Sequence, residues 1–154
     1  MTTEEYKQAA LKTLRQELQP DVPPVVGETE LKQLLEEHQV ASLWAPGQVF
    51  IAGQIVMPNT PNLCRYKCVR TGTSGATEPV WPEWQNGRVT DGTVQWQHDG
   101  PAFKNLFDVP SALHAGYKLK MVKAAALFDT DDSMSQVFQQ YETLVRRSKP
   151  WRVA

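Results

Sequence analysis

The chain has 154 residues, and its 16 Lys and Arg against 17 Asp and Glu give a formal net charge of −1. That length suits one ordinary domain or two small ones that support each other, and the balanced charge argues against a protein that binds duplex nucleic acid through a basic surface. No run approaches the roughly 18 apolar residues of a membrane span, and the opening MTTEEYKQAA is polar and acidic where a secretory signal is basic and then apolar. We therefore expect a protein without a membrane segment that is made in a cytoplasm.

Two amphipathic helices are predicted at the N-terminal end. Thr3 is a candidate N-cap, and the leucines of TEEYKQAALKTLRQEL recur at helical spacing, which predicts a helix over 3–18. Three prolines and a glycine in PDVPPVVG predict an extended connector. The helical period returns in GETELKQLLEEHQV and predicts a second helix over 29–41, with His38 as a residue at its rim rather than a ligand.

From Trp44 the apolar period changes from 3.6 to 2, which predicts a β module. Short runs of β-branched and aromatic residues in WAPGQVFIAGQIV, CRYKCVR and RVTDGTVQWQ predict its strands. Asp91 and Gly92 are predicted to be the central residues of a type I′ hairpin turn, so that Thr90 pairs with Thr93 across it. The segment TGTSGATEPVWPEWQNG is predicted to be a long ordered loop.

The two cysteines, Cys64 and Cys68, fall on one predicted strand. Four residues of strand place them about 13 Å apart at about 3.3 Å per residue, whereas a disulfide needs Cα atoms within about 7 Å. The three histidines are scattered and there is no second cysteine pair, so the spacing of a zinc site is lacking. We expect free thiols that are buried or half-buried, and no metal or cofactor.

Two further helices are predicted after the β module. DVPSALHAGYKLKMVKAAALFD indicates a helix over 110–128, whose alanines offer a small-residue face against which another helix can pack. DTDDSMSQVFQQYETLVRRSK has the clearest amphipathic period in the chain and predicts a helix over 133–147, with Asp132 or Ser133 as its cap. Pro150 then stops the helix.

These patterns together predict an α+β fold in which a small antiparallel β module interrupts a small helical bundle. The helical domain is discontinuous and comprises residues 1–43 and 104–148. The β module covers 44–103, and residues 149–154 form a C-terminal arm. Trp151 in this arm is an aromatic residue beside basic ones, which is typical of an anchor on a partner protein.

The aromatic residues of the β module leave two interpretations open. They form the compact core that a module of this size otherwise lacks, or some of them form a face that stacks on sugar rings. We favour the core interpretation because few polar residues accompany the tryptophans and an indole buried in a core cannot also stack on a ligand. The residues concerned are Trp44, Tyr66, Trp81, Trp84 and Trp96.

Few residues in the sequence have the arrangement of a catalytic site. Ser74 has no histidine near it, and Glu78 lies in a loop fixed by proline. Asp129, Asp131 and Asp132 resemble an acidic turn that caps a helix, and the segment lacks the glycine and the final glutamate of an EF-hand loop. We therefore do not expect an enzyme.

The central segment resembles a short module that recurs in structural proteins of tailed bacteriophages. The resemblance covers Trp44 to about Gln97 and is carried by WAPGQVFIAGQIV, YKCVRTGTSGATEPVWP and TDGTVQWQ. The chain differs from the usual pattern only mildly, in Val80 and in Arg88-Val89 before the hairpin. The module indicates the context of a phage particle rather than an activity.

The C-terminal segment LHAGYKLKMVKAAALFDTDDSMSQVFQQYETLVRR is similar to the last two helices of phage head-to-tail connector, or adaptor, proteins. The pattern is a lysine-containing, alanine-rich helix, an acidic turn, and a second helix that ends in arginines. The chain differs from plain connectors in carrying the β insert.

The resemblance implies a virion protein of the neck, between capsid and tail, that is assembled in the host bacterial cytoplasm. It implies a dodecameric ring of identical subunits, from which the β insert projects. The partners implied are the portal protein and a tail-side neck or head-completion protein, with DNA passing through the ring without sequence-specific binding.

Two sets of candidate interface residues accompany this expectation. The helix faces that could meet a neighbouring subunit carry Leu11, Leu14, Ala115, Lys118, Val122 and Ala126. The basic end and arm that could meet the portal carry Arg146, Arg147, Lys149, Pro150, Trp151 and Arg152. Two alternatives remain open, namely a carbohydrate-binding tail or baseplate component that uses the β module for host attachment, and an assembly factor that is absent from the finished particle.

Overall fold

The computed structural model of the protein describes residues 1–127 and 133–149, and these form two compact units. The first, which we call the β unit, comprises Met1–Tyr6 and Val40–Leu106. The second, the helical unit, comprises Lys7–Gln39 and the chain from Phe107 onward. The fold is α+β, as predicted, with helices, a mixed five-stranded sheet and a two-stranded sheet.

The helices are α1 (Thr3–Leu18), α2 (Glu28–Glu36), α3 (Val109–Ala126) and α4 (Ser133–Ser148). Three of them match their predicted bounds to within two residues, whereas α2 ends five residues before the predicted position 41. The backbone N–H groups of Val40 and Ala41 both donate to the carbonyl oxygen of Leu106, at 2.9 and 3.3 Å, and Ser42 begins a strand. These two backbone N–H groups are therefore not available for the hydrogen bonds that would continue helix α2.

The strands are β1 (Ser42–Leu43), β2 (Val49–Phe50), β3 (Ile55–Met57), β4 (Cys64–Arg70), β5 (Gly72–Thr73), β6 (Arg88–Asp91) and β7 (Val94–Pro101). The larger sheet has the order β1-β3-β4-β7-β6, and β2 pairs with β5. All pairs are antiparallel, as predicted, except β1 with β3, which is parallel.

The β6–β7 hairpin differs from the predicted one by one residue. Asp91 pairs with Val94, so the two loop residues are Gly92 and Thr93, and the predicted pairing of Thr90 with Thr93 is wrong. Gly92 has a φ of 59°, while Thr93 does not have a positive φ. A glycine at the first loop position only is the pattern of a type II′ turn rather than type I′.

The core of the β unit is aromatic. Its buried members are Trp44, Phe50, Val56, Tyr66, Cys68, Val94 and Trp96, with Cys64, Trp81 and Val89 packed against them. The ring centroids of Phe50 and Trp96 are 4.9 Å apart in an edge-to-face arrangement, a favourable geometry for aromatic pairs. Both cysteines are free, with Cys64 half-buried and Cys68 buried, as predicted. Burial raises the pKa of the Cys68 thiol.

The helical unit has a leucine core to which α1 contributes Leu11, Leu14 and Leu18. Helix α3 approaches α1 closely at Gly116, where an added Cβ would lie 2.8 Å from the Leu18 Cδ2 atom. Leu11 and Leu14 have no exposed surface. The prediction that these two leucines face a neighbouring subunit is therefore wrong, because their own chain already covers them.

Candidate functional site

The buried carboxylate of Asp91 organises the loop and the tryptophans of the β unit. Its Oδ2 atom accepts hydrogen bonds from the indole Nε1 atoms of Trp44 and Trp96, at 2.7 and 3.0 Å. Its Oδ1 atom accepts one from the backbone N–H of Gly75, at 2.8 Å. Only 4% of Asp91 is exposed, so these three donors replace the water that the carboxylate loses. Sequence reasoning placed Asp91 in a turn and missed this role.

Ser74 fixes the start of the same loop. Its hydroxyl donates to the carbonyl oxygen of Ala45, at 2.6 Å, and accepts from the backbone N–H of Gln48, at 3.0 Å. The backbone N–H of Ser74 donates in turn to the Gln48 carbonyl oxygen. The hydroxyl is buried and committed to backbone groups.

Glu78 and Tyr66 fix the proline-rich part of the loop. The Glu78 Oε1 atom accepts from the Trp81 indole, at 3.0 Å, and from the backbone N–H of Asn59, at 2.8 Å. The rings of Tyr66 and Trp81 lie 4.4 Å apart between centroids, and the Tyr66 hydroxyl donates to the Pro82 carbonyl oxygen at 2.8 Å. Burial raises the pKa of Tyr66 to about 12.

Trp84 lies outside this core, with 67% of its surface exposed, so the prediction that it belongs to the core is wrong. The indole rests on the backbone of Gly87, where an added Cβ would lie 2.6 Å from Trp84 Nε1 and 2.7 Å from Pro82 Cβ. Val80 on the same loop is 91% exposed. Of the five aromatic candidates, the structure brings together Trp44, Tyr66, Trp81 and Trp96 as core and leaves one indole on the surface.

An open groove of about 390 Å³ lies between α2 and α3 in the helical unit. We call it the α2–α3 groove. Its apolar lining is Leu34, Ala115, Leu119 and Val122, and its polar lining is Glu30, Gln33, Glu37 and Lys118.

Three of the predicted interface residues, Ala115, Lys118 and Val122, line the α2–α3 groove. Val122 is 61% exposed and lies in the C-terminal third of α3, beside the apolar lining of the groove. Ala126 is exposed one turn further along α3. The apolar exposure on this side of α3 is therefore continuous with the groove.

Lys120 is fully buried on the other side of α3. Its Nζ atom donates to the carbonyl oxygens of Gln19 and Val22, at 2.7 and 2.9 Å, and to the hydroxyl of Tyr141, at 3.1 Å. All three ammonium donors are thus used, and burial lowers the pKa of the lysine. Sequence reasoning missed this residue, although Lys120 follows the buried Tyr117 at helical spacing, which was the available signal.

The C-terminal end of α4 is basic and exposed. Arg146 bonds the carboxylate of Glu142 one turn earlier in its own helix, whereas Arg147 and Lys149 form no ion pair among the described residues. The Nδ1 atom of His114 on α3 lies 3.0 Å from the Ser148 hydroxyl, and burial lowers the pKa of that histidine.

The remaining candidates lie outside the described residues. They are Pro150, Trp151 and Arg152 of the arm, and the acidic residues Asp129, Asp131 and Asp132 before α4.

Within residues 1–127 and 133–149, no group of three or more His, Cys, Asp or Glu side chains is placed to hold a metal ion. None of the helices described is both long and apolar enough to cross a bilayer. Comparison of the chain with protein-family models, with curated proteins and with solved structures gives no match.

Proposed function

We propose that this chain is a structural virion protein, a head-to-tail connector that forms a ring of identical subunits and joins the portal of a phage head to the tail. The observation that carries the proposal is the exposed apolar side of α3 at the α2–α3 groove, with Val122 at its centre. An exposed apolar patch that continues into a groove is typical of a surface that binds another protein.

The division of the chain supports the same proposal. The segment that resembles the phage module, Trp44 to about Gln97, lies in the β unit, and the segment that resembles the last two connector helices lies in the helical unit. The helices would supply the contacts of the ring, and the loop of the β unit is held by its own hydrogen bonds.

The arm that follows α4 is the proposed contact with the portal. Lys149 is exposed at its start, and the arm adds Pro150, Trp151 and Arg152. Trp and Arg are residue types that are enriched in interface hot spots. With a net charge of −1 the subunit has no overall attraction for DNA, which suits a ring through which DNA passes without sequence-specific binding.

The test is electron microscopy with mass determination on the purified protein mixed with its candidate portal. We expect a closed ring stacked coaxially on the portal. Deletion of residues 149–154 should abolish portal binding while leaving the thermal unfolding of the described part unchanged. A stable monomer that ignores the portal would overturn the proposal.

The exposed indole of Trp84 favours a second candidate function, a carbohydrate-binding tail or baseplate component. An indole held in place by Gly87 is pre-organised to stack on a sugar ring. The test is binding of the full chain to a panel of bacterial surface glycans, with Trp84→Ala as the variant and Val80→Ser, on the same loop, as the control. Binding lost only in Trp84→Ala would favour this function, and absence of binding by the unaltered chain would remove it.

A further inference from the structure

We infer that the α2–α3 groove of one copy receives a stripe of α4 from a second copy of this chain, with Arg147 of that copy opposite Glu37. This rests on the proposed function, because it names the contact by which the proposed ring is built. The stripe consists of Val137, Gln140, Leu144 and Arg147.

The groove and α4 lie on opposite sides of α3. At about 100° per residue, Leu119 and Val122 of the groove are turned about 200° and 140° from Tyr117. Tyr117 faces α4, since its ring centroid lies 6.4 Å from that of Tyr141. A copy therefore presents the groove on one flank of the helical unit and α4 on the other.

The stripe on α4 has the spacing of one helix face, i, i+3, i+7 and i+10. It runs along the margin of the side that packs on α3, because Tyr141 is buried there while Val137 and Leu144 remain half-buried. Gln140 and Arg147 are exposed. Val137 and Leu144 would become fully buried in the apolar part of the groove. Gln140 and Arg147 would then lie at its polar rim.

The stripe is long enough to cover the groove. The groove follows α2 from Glu30 to Glu37, which is about 10 Å at about 1.5 Å per residue. The stripe from Val137 to Arg147 is about 15 Å long by the same rise, and its part from Gln140 to Arg147 matches the length of the groove. With Arg147 at the Glu37 end of the groove, Val137 extends past the Glu30 end.

Two charged residues of the groove lining, Glu37 and Lys118, form no ion pair with each other or with another residue that the structure describes, so the carboxylate of Glu37 is open to an added cation. Along α2, most glutamates already bond a cation in their own chain: Glu28 bonds Arg15, Glu30 bonds Lys123 and Glu36 bonds Lys7. Glu37 accepts instead from the neutral amide of Gln33 and has no cationic partner among the described residues. Arg147 is likewise without an anion in the part of the chain that the structure describes. An arginine delivered to the Glu37 end of the groove would satisfy both.

Surfaces on opposite flanks make the contact heterologous, so that each copy offers its groove to one neighbour and its α4 to the other. Such a contact continues from copy to copy and gives a ring when the rotation closes. A two-fold dimer, by contrast, would use the same patch on both copies.

The test is a charge exchange measured by sedimentation equilibrium on the full chain. Glu37→Arg and Arg147→Glu should each raise the dissociation constant of self-association at least about tenfold, because each places like charges opposite one another. The double variant should return to within about threefold of the unaltered chain. Arg146→Glu is the matched control, since Arg146 is turned away from the stripe, and it should leave association unchanged. Circular dichroism checks that each variant is folded, which is expected because all three positions are exposed.

The possible failures separate the inference from the proposed function. Assembly by the unaltered chain that neither single variant weakens, or that the double variant does not restore, would overturn the inference and leave the connector proposal standing. A Glu37→Arg variant that still assembles but no longer binds the portal would assign the groove to the portal and would also overturn it. A chain that stays monomeric alone and with the portal would overturn the proposed function itself.

Discussion

The Asp91 carboxylate joins two indoles and a backbone N–H inside the β unit. Replacement by alanine would leave two buried indole N–H groups and the part-buried N–H of Gly75 without an acceptor. At about 1–3 kcal/mol for each of the two buried groups, we expect Asp91→Ala to lower the free energy of unfolding by about 2–6 kcal/mol. Urea unfolding followed by tryptophan fluorescence measures this loss.

Asp99 supplies the control for that experiment. It is an exposed aspartate of the same unit that bonds Arg65 at 2.8 Å. Asp99→Ala should cost no more than about 1 kcal/mol, as exposed ion pairs do. Similar losses for the two variants would show that the buried hydrogen bonds of Asp91 contribute no more to the free energy of unfolding than an exposed ion pair does.

Tyr66 makes the stability of the β unit sensitive to alkali. Burial raises its pKa from 10.0 to about 12, so between these values the folded chain keeps a proton that the unfolded chain loses. The stabilisation is fully present below pH 10 and is lost as the pH rises to 12, by about 2–3 kcal/mol. Urea unfolding of the unaltered chain and of Tyr66→Phe from pH 9 to 12 measures it. Equal slopes in the two proteins would contradict the prediction, because Tyr117 and Tyr141 titrate in both.

At the scale of elements, local sequence patterns were sufficient to predict which segments form helices and which form strands. They were not sufficient to predict where every element begins and ends. The helices α1 and α4 have clear amphipathic periods, and their bounds follow from them. Helix α3 has hardly any such period and is indicated instead by Asp108 and Pro110 at its start and by its many alanines. The end of α2 and the register of the β6–β7 hairpin depend on distant partners, Leu106 for the backbone of Val40 and two tryptophans for Asp91. Local propensity cannot reveal such partners. Trp84 was misplaced for another reason: its indole lies against Gly87 and Pro82 at the surface, and the residue type alone does not distinguish this position from one in the core.

Helix α3 is tied to two other elements through Lys120. Lys120→Met keeps the length of the side chain but removes the bonds to Gln19, Val22 and Tyr141. We expect a loss of about 1–3 kcal/mol in the free energy of unfolding, since the freed carbonyl and hydroxyl groups are only partly able to reach water. Thermal and urea unfolding at low protein concentration test this.

Lys32 on α2 is a suitable control for Lys120 because it is exposed. Lys32→Met should change the free energy of unfolding by no more than about 0.5 kcal/mol. If Lys120→Met is equally harmless, the desolvation of the buried ammonium offsets its hydrogen bonds, and Lys120 does not hold the helices together.

At the scale of the whole molecule, the two units differ in how far they can stabilise themselves. The β unit has a dense aromatic core with a satisfied carboxylate at its centre. The helical unit has a leucine core, but Tyr141 is the only residue of 134–148 that is buried, and α3 exposes Val122. Association would therefore contribute most to the helical unit, and the midpoint of its thermal unfolding should rise with protein concentration.

Val122→Glu tests that expectation directly. The change places a charge on the apolar lining of the α2–α3 groove beside Leu34 and Leu119, where association would remove it from water. We expect self-association to weaken at least about tenfold and the unfolding midpoint to lose its dependence on concentration. Val80→Glu is the matched control, an exposed valine of the β unit that should leave both quantities unchanged. Because both valines face solvent, neither change should cost more than about 0.5 kcal/mol in the dilute protein. Equal effects of the two substitutions on association would mean that added negative charge, and not the groove, controls assembly.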